Sequence, residues 1–174
     1  MATFKTLNWS TLDTWAIVTG RGVVPLLSED HHAAGGWLQQ HNYEMLHLDF
    51  TSGISRLVGQ LGTLLGWSSQ FGVGHELHPE SRNLDALRDG FTFKVPEQGG
   101  LALTLQGFEQ AWSEDQRWSA GFLSIISEFS LQQLALGRRF FAVIEVANPS
   151  SVLVGAQFEI RSIGHPFQRR PEAF

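Results

Sequence analysis

The chain has 174 residues, of which 43% are hydrophobic, 11% aromatic and 17% charged; this suits one globular domain with extensions and excludes a disordered polyelectrolyte. A formal net charge of −5 argues against a nucleic-acid-binding surface and suits a basic partner. With no cysteine, disulfides, thiolate metal sites and a thiol nucleophile are excluded.

The opening stretch up to Trp15 lacks the apolar run of a signal peptide, and no segment is long and apolar enough to span a bilayer. A reducing, cytoplasmic setting is therefore expected. In that setting the glycosylation-like tripeptide Asn8-Trp9-Ser10 carries no meaning. Residues 15–19 read as a short strand closed by the turn Gly20-Arg21-Gly22, and Val23 to Leu27 is apolar but carries Pro25. Ser28 is placed to cap a helix, with Glu29 and Asp30 in its first turn. Gly35-Gly36 weakens that helix by about 1 kcal/mol per glycine relative to alanine.

From Tyr43 the pattern sharpens. Met45, Leu46, Leu48 and Phe50 mark a strand ending at Asp49, with Thr51 or Ser52 available to cap a helix after it. Ile54, Leu57, Val58, Leu61, Leu64 and Leu65 recur at helical spacing, and Gly66 stands where a C-terminal cap belongs. Residues 66–80 read as a Gly-, Ser- and His-rich loop, and a short helix comes next, from about Asn83 to Phe91. Leu101 to Leu105 reads as a strand. Trp118, Phe122, Ile125, Ile126, Phe129 and Leu134 form a helical stripe stopped by Gly137, and Phe140 to Val146 reads as a buried strand. Strands joined through helices predict an α/β fold with a parallel sheet. We divide the chain into a central domain at 43–147, an N-terminal extension at 1–42 and a C-terminal extension at 148–174. The last holds the apolar stretch Val152-Leu153-Val154 and the alternating Phe158-Glu159-Ile160.

Features that would suggest an enzyme are thin. His75-Glu76-Leu77-His78 resembles a zinc helix, but its histidines stand at i and i+3 in a Gly-rich loop rather than at i and i+4 on one helix face. His31, His32 and His41 have no carboxylate or cysteine at ligand spacing and read as a solvated helix face. Gly20-Arg21-Gly22 lacks the third glycine of a dinucleotide loop and the GK[ST] of a phosphate loop, and no G-x-S-x-G elbow is present. No metal, no cofactor and no catalytic residue are expected.

The informative stretch is Asn83-Leu84-Asp85-Ala86-Leu87-Arg88-Asp89. Leu84, Leu87 and Phe91 fall at i, i+3 and i+7 and bury one side of a short helix. Asp85 and Asp89 fall at i and i+4, on one face, where like charges repel by about 0.2–0.5 kcal/mol. On spacing alone this is a solvated face.

The same residues are similar to the N-[LW]-D-A-L-x-D signature of the barstar family. The order of elements over residues 43–147 matches as well: strand, amphipathic helix ending at Leu65-Gly66-Trp67, loop, signature helix, strand, Phe108-Glu109-Gln110, long helix, strand. The resemblance implies a barstar-like α/β fold with a three-stranded parallel sheet. It also implies a non-enzymatic protein whose acidic helix face occludes a basic ribonuclease or toxin domain, as an antitoxin or immunity protein. The partner would be protein, with no direct nucleic-acid or membrane contact. Carried over, Asp85 and Asp89 match the signature aspartates and Glu128 matches an acidic position on the long helix. Arg88, Glu80 and Glu76 complete the expected partner-binding set. The chain departs from the family at His78-Pro79-Glu80-Ser81, where aromatic residues and a glycine are common, and at Arg88, where close relatives often have an aromatic residue. Those departures keep open an alternative, a binding module of the same fold whose partner is not a nuclease.

Overall fold

A computed structural model describes residues 13, 17–18, 20–67, 69, 83–147 and 151. The described elements are β1 (Val23–Leu27), α1 (Ser28–Gln40), β2 (Tyr43–Asp49), α2 (Ile54–Leu64), α3 (Leu84–Gly90), β3 (Gly100–Gln106), α4 (Phe108–Glu114), α5 (Gln116–Ala135) and β4 (Phe140–Val146). The strands form one all-parallel sheet in the order β1-β4-β3-β2. The three strands expected within 43–147 are therefore present and parallel. Among the described residues the sheet nevertheless has four strands rather than three, because the segment assigned to the N-terminal extension adds β1 beside β4.

Pro25 is compatible with a strand here because, among the described residues, β1 pairs with β4 alone, at the edge of the sheet. A proline cannot donate to the ladder, so sheets accept it at an edge. The strand expected at 15–19 is corrected: of those residues Ile17 and Val18 are described, and both are helical. Ile17 is wholly buried, and its carbonyl accepts the Gly22 amide at 3.0 Å to close the turn that leads into β1. Its apolar character thus serves helix packing, which a short run of β-formers does not distinguish from a strand. Helix α1 begins at Ser28 itself, with Leu27 in the cap position and no side-chain capping bond, and it runs unbroken through Gly35-Gly36. Ala34 and Leu38 are buried against the sheet, and such packing outweighs a weak local propensity.

Two directions of travel shape the sheet. The β1–α1–β2 connection crosses from one edge to the other, whereas β2 to β3 to β4 steps back one strand at a time. Right-handed crossovers running in opposite directions put their helices on opposite faces. The packing agrees. Leu48, Leu101, Leu103, Leu105, Phe140, Ala142 and Ile144 point to a large core shared with α2, α3, α4 and α5. Val24, Leu26, Tyr43, Ala102, Phe141 and Val143 point to a smaller core closed by Ala34 and Leu38 of α1. The large core is aromatic at its centre: Phe91 meets Phe93, Phe122, Phe129 and Phe140 edge-on, with centroids 5.0 to 6.3 Å apart.

Helix termini show where local signals were overridden. Neither Thr51 nor Ser52 caps α2. Gly53 occupies that position, and the Ile54 amide donates to the Glu114 carboxylate of α4 at 3.2 Å. Thr51 instead closes a turn on Asp49 through its amide and hydroxyl. By contrast Gly66 and Gly137, both at positive φ, come after α2 and α5 as glycines after helices do.

Candidate partner-binding face

Helix α3 is short and held from several sides. The Asn83 side chain accepts the amides of Asp85 and Ala86 at 3.0 and 3.2 Å, satisfying donors that a helix start leaves open. Leu87 is buried and Leu84 half-buried against the large core. Leu84 sits so close to Gly121 of α5 that a Cβ there would collide with its methyl groups. At the other end the Trp67 indole donates to the Gly90 carbonyl at 2.9 Å, and its ring fills the space a Gly90 side chain would need. Phe91 then drops into the aromatic core.

With one side fixed, the other faces solvent. Asp85, Arg88 and Asp89 are all exposed, and the Asp85 side chain is 92% accessible. Arg88 Nε donates to Glu128 Oε2 of α5 at 3.0 Å, and Arg88 Nη1 lies 3.5 Å from Asp85 Oδ1. Glu128 is likewise exposed, so the structure brings Asp85, Arg88, Asp89 and Glu128 onto one surface formed by α3 and α5. Asp89 makes no hydrogen bond or ion pair with the described residues. Glu76 and Glu80, together with His75 and His78, lie outside the described residues.

Arg88 is the feature whose role spacing alone did not specify. It joins carboxylates from two helices, so the surface carries a guanidinium seated between two acids, Asp85 and Glu128. Exposed pairs of this kind contribute about 0.2–1 kcal/mol each, so they orient side chains more than they stabilise the fold.

Two other polar groupings escaped sequence reading. Asp13 is 1% exposed; it accepts the Tyr43 hydroxyl at 2.5 Å and Arg139 Nη1 at 2.7 Å. The Arg139 guanidinium also lies 5.5 Å from the Tyr43 ring centroid. Burial, reinforced by the Asp13 carboxylate, pushes the Tyr43 phenol far above its ordinary value, and Arg139 opposes this. No sequence signal links residues this far apart. The second grouping corrects the reading of the histidines. His32 and His41 are exposed, and His41 stacks on Trp37 with ring centroids 3.8 Å apart. His31 is instead half-buried against the sheet, because it lies on the stripe of α1 that carries Ala34 and Leu38.

Among the described residues no group of three or more His, Asp or Glu side chains is arranged to hold a metal ion, and no helix is long and apolar enough to cross a membrane. Compared with protein-family models, with curated proteins and with solved structures, the chain gives no significant match.

Proposed function

We propose that this chain is a barstar-like inhibitor that binds a basic ribonuclease or toxin domain through the α3–α5 surface and performs no catalysis itself. The observation that carries the reading is the convergence of Asp85, Asp89 and Glu128 on one exposed surface while Leu87 anchors the helix beneath. The signature resemblance and the parallel order of β2, β3 and β4 support the same assignment. In this mechanism the carboxylates stand in for RNA phosphates and enter the partner's cationic cleft. The net charge of −5 favours encounter with a basic protein. Asp89, unpaired among the described residues, is the principal anchor; Asp85 and Glu128 are shared with Arg88 until the partner's cations compete for them.

A second reading has one observation in its favour. The ion pairs of Arg88 with Asp85 and Glu128 offset part of the negative field, which suits a partner with a mixed-charge surface rather than a nuclease cleft. Titration against a catalytically inactivated basic bacterial ribonuclease over a range of salt separates the two. Asp89→Ala is expected to weaken binding by about 2–5 kcal/mol, a scale set partly by the founding complex of the resembled family itself. Association slows as salt rises, because screening acts over about 8 Å at physiological ionic strength. Arg88→Ala leaves binding unchanged or tightens it. Should Asp89→Ala bind like the wild type while Arg88→Ala fails, the phosphate-mimic mechanism is wrong for this protein.

A further inference from the structure

The second face of the sheet changes character from one end to the other. Met45, Ala102 and Phe141 form an apolar row across β2, β3 and β4. One pleat nearer the carboxyl ends the row reads His47, Thr104, Val143 and Val24, and beyond it stand Asp49 beside Gln106 and Glu145 beside Leu26. Helix α1 lies over this gradient. Ala34 and Leu38 rest on the apolar part. His31 precedes Ala34 by one turn on the same stripe and is half-buried over the polar part.

His31 is surrounded by identifiable groups. The register puts His47 of β2 and Glu145 of β4 on the sheet face that α1 covers, and His32 is the neighbour of His31 on α1, while β1, Val-Val-Pro-Leu-Leu throughout, offers no titratable side chain. His47 is itself held, its Nδ1 hydrogen-bonded to the Thr104 hydroxyl. The remaining ionisable groups on this face of β2 are engaged elsewhere: Asp49 with Thr51, and Tyr43 with Asp13 at the far end.

We infer that the amino-terminal half of α1 is an acid-released clasp, in which a proton on His31 converts a half-buried neutral contact into a cation flanked by two other histidines, and the first turns of the helix lift from the sheet. The surroundings set the direction. Burial lowers the His31 pKa most, Glu145 opposes that, and His47 and His32 lower it further. A histidine whose folded-state value is depressed contributes stability that is present above the unfolded value of about 6.5 and is lost as pH falls through the folded one. Leu38, with Trp37 beside it, continues to hold the rest of the helix. The device sits on the face of the sheet opposite α3, so it operates whether or not the α3–α5 surface binds a ribonuclease.

Hydrogen exchange of the full chain between pH 7.5 and pH 5.0, corrected for intrinsic rates, tests it. Exchange over residues 28–34 is expected to rise severalfold on acidification, while residues 116–135 stay protected. His31→Gln removes the acid response and His32→Gln retains it. Glu145→Gln takes away the carboxylate that favours the protonated ring in place, so release begins at higher pH. A wild-type chain whose residues 28–34 show no extra opening at pH 5.0 overturns the inference. So does a His31→Gln variant that opens like the wild type, or a Glu145→Gln variant whose release is unmoved.

Discussion

Replacing Asp13 tests whether the residues before β1 belong to the same cooperative unit as the sheet. Its carboxylate accepts from Tyr43 at the start of β2 and from Arg139 just before β4, and it is 1% exposed. Asp13→Ala leaves a guanidinium and a phenol without their acceptor. Breaking a buried ion pair from one side costs about 3–5 kcal/mol. The Arg139 side chain is 30% exposed and regains part of its hydration, which places the expected loss near the lower limit, about 3 kcal/mol. Against a total stability of about 5–15 kcal/mol this is a large fraction. In a chain of this size it corresponds to a fall in Tm of about 6–12 °C. Asp13→Asn retains an acceptor but not the charge and is expected to lose about 2 kcal/mol, whereas Tyr43→Phe, which removes one donor, loses about 1 kcal/mol. Urea unfolding of these three variants, of Arg139→Ala and of Asp13→Ala/Arg139→Ala completes a double-mutant cycle for Asp13 and Arg139, with an expected coupling energy above about 1 kcal/mol. An Asp13→Ala variant within about 0.5 kcal/mol of the wild type, with unchanged m-value, would refute the reasoning and detach this segment from the cooperative fold.

Tyr43 is the sole tyrosine in the sequence, so its ionisation can be followed by absorbance alone. Its folded-state pKa is raised, first by burial and then by Asp13, so its contribution is complete below the unfolded value of about 10 and is lost as pH rises above it. Above about pH 10 the wild type should therefore lose up to about 1.4 kcal/mol per pH unit more than Tyr43→Phe, measured by urea unfolding at each pH. Asn83→Ala removes the α3 cap and is expected to cost about 1 kcal/mol in thermal unfolding, and Asn83→Ser restores most of it. Gly121→Ala places a methyl group against Leu84, a clash of about 1–3 kcal/mol offset by about 1 kcal/mol of helix propensity, and Leu84→Ala in the same chain relieves the clash; additive effects in the pair would show that α3 and α5 are not packed as described.

Where neighbours in sequence are also neighbours in space, the residues alone determined the structure. Ile54, Leu57, Val58 and Leu61 repeat with the helical period, and all are buried along α2. Phe140 to Val146 is dense in β-formers and is buried along nearly its whole length. Leu84 and Leu87 turn inward for the same reason, which leaves Asp85 and Asp89 outward on α3. What the sequence did not contain is information carried by distant partners. Pro25 is acceptable in β1 because that strand is the edge of the sheet among the described residues, and Gly35-Gly36 stays helical because Ala34 and Leu38 are buried on the sheet. The open start of α2 is satisfied by Glu114, Arg88 is oriented by Glu128, and Asp13 finds Arg139 across a separation of 126 residues. Periodicity reports the environment of a side chain averaged over one element. A hydrogen bond or ion pair depends on one atom meeting another within about 3 Å, and the folded chain alone brings those atoms together.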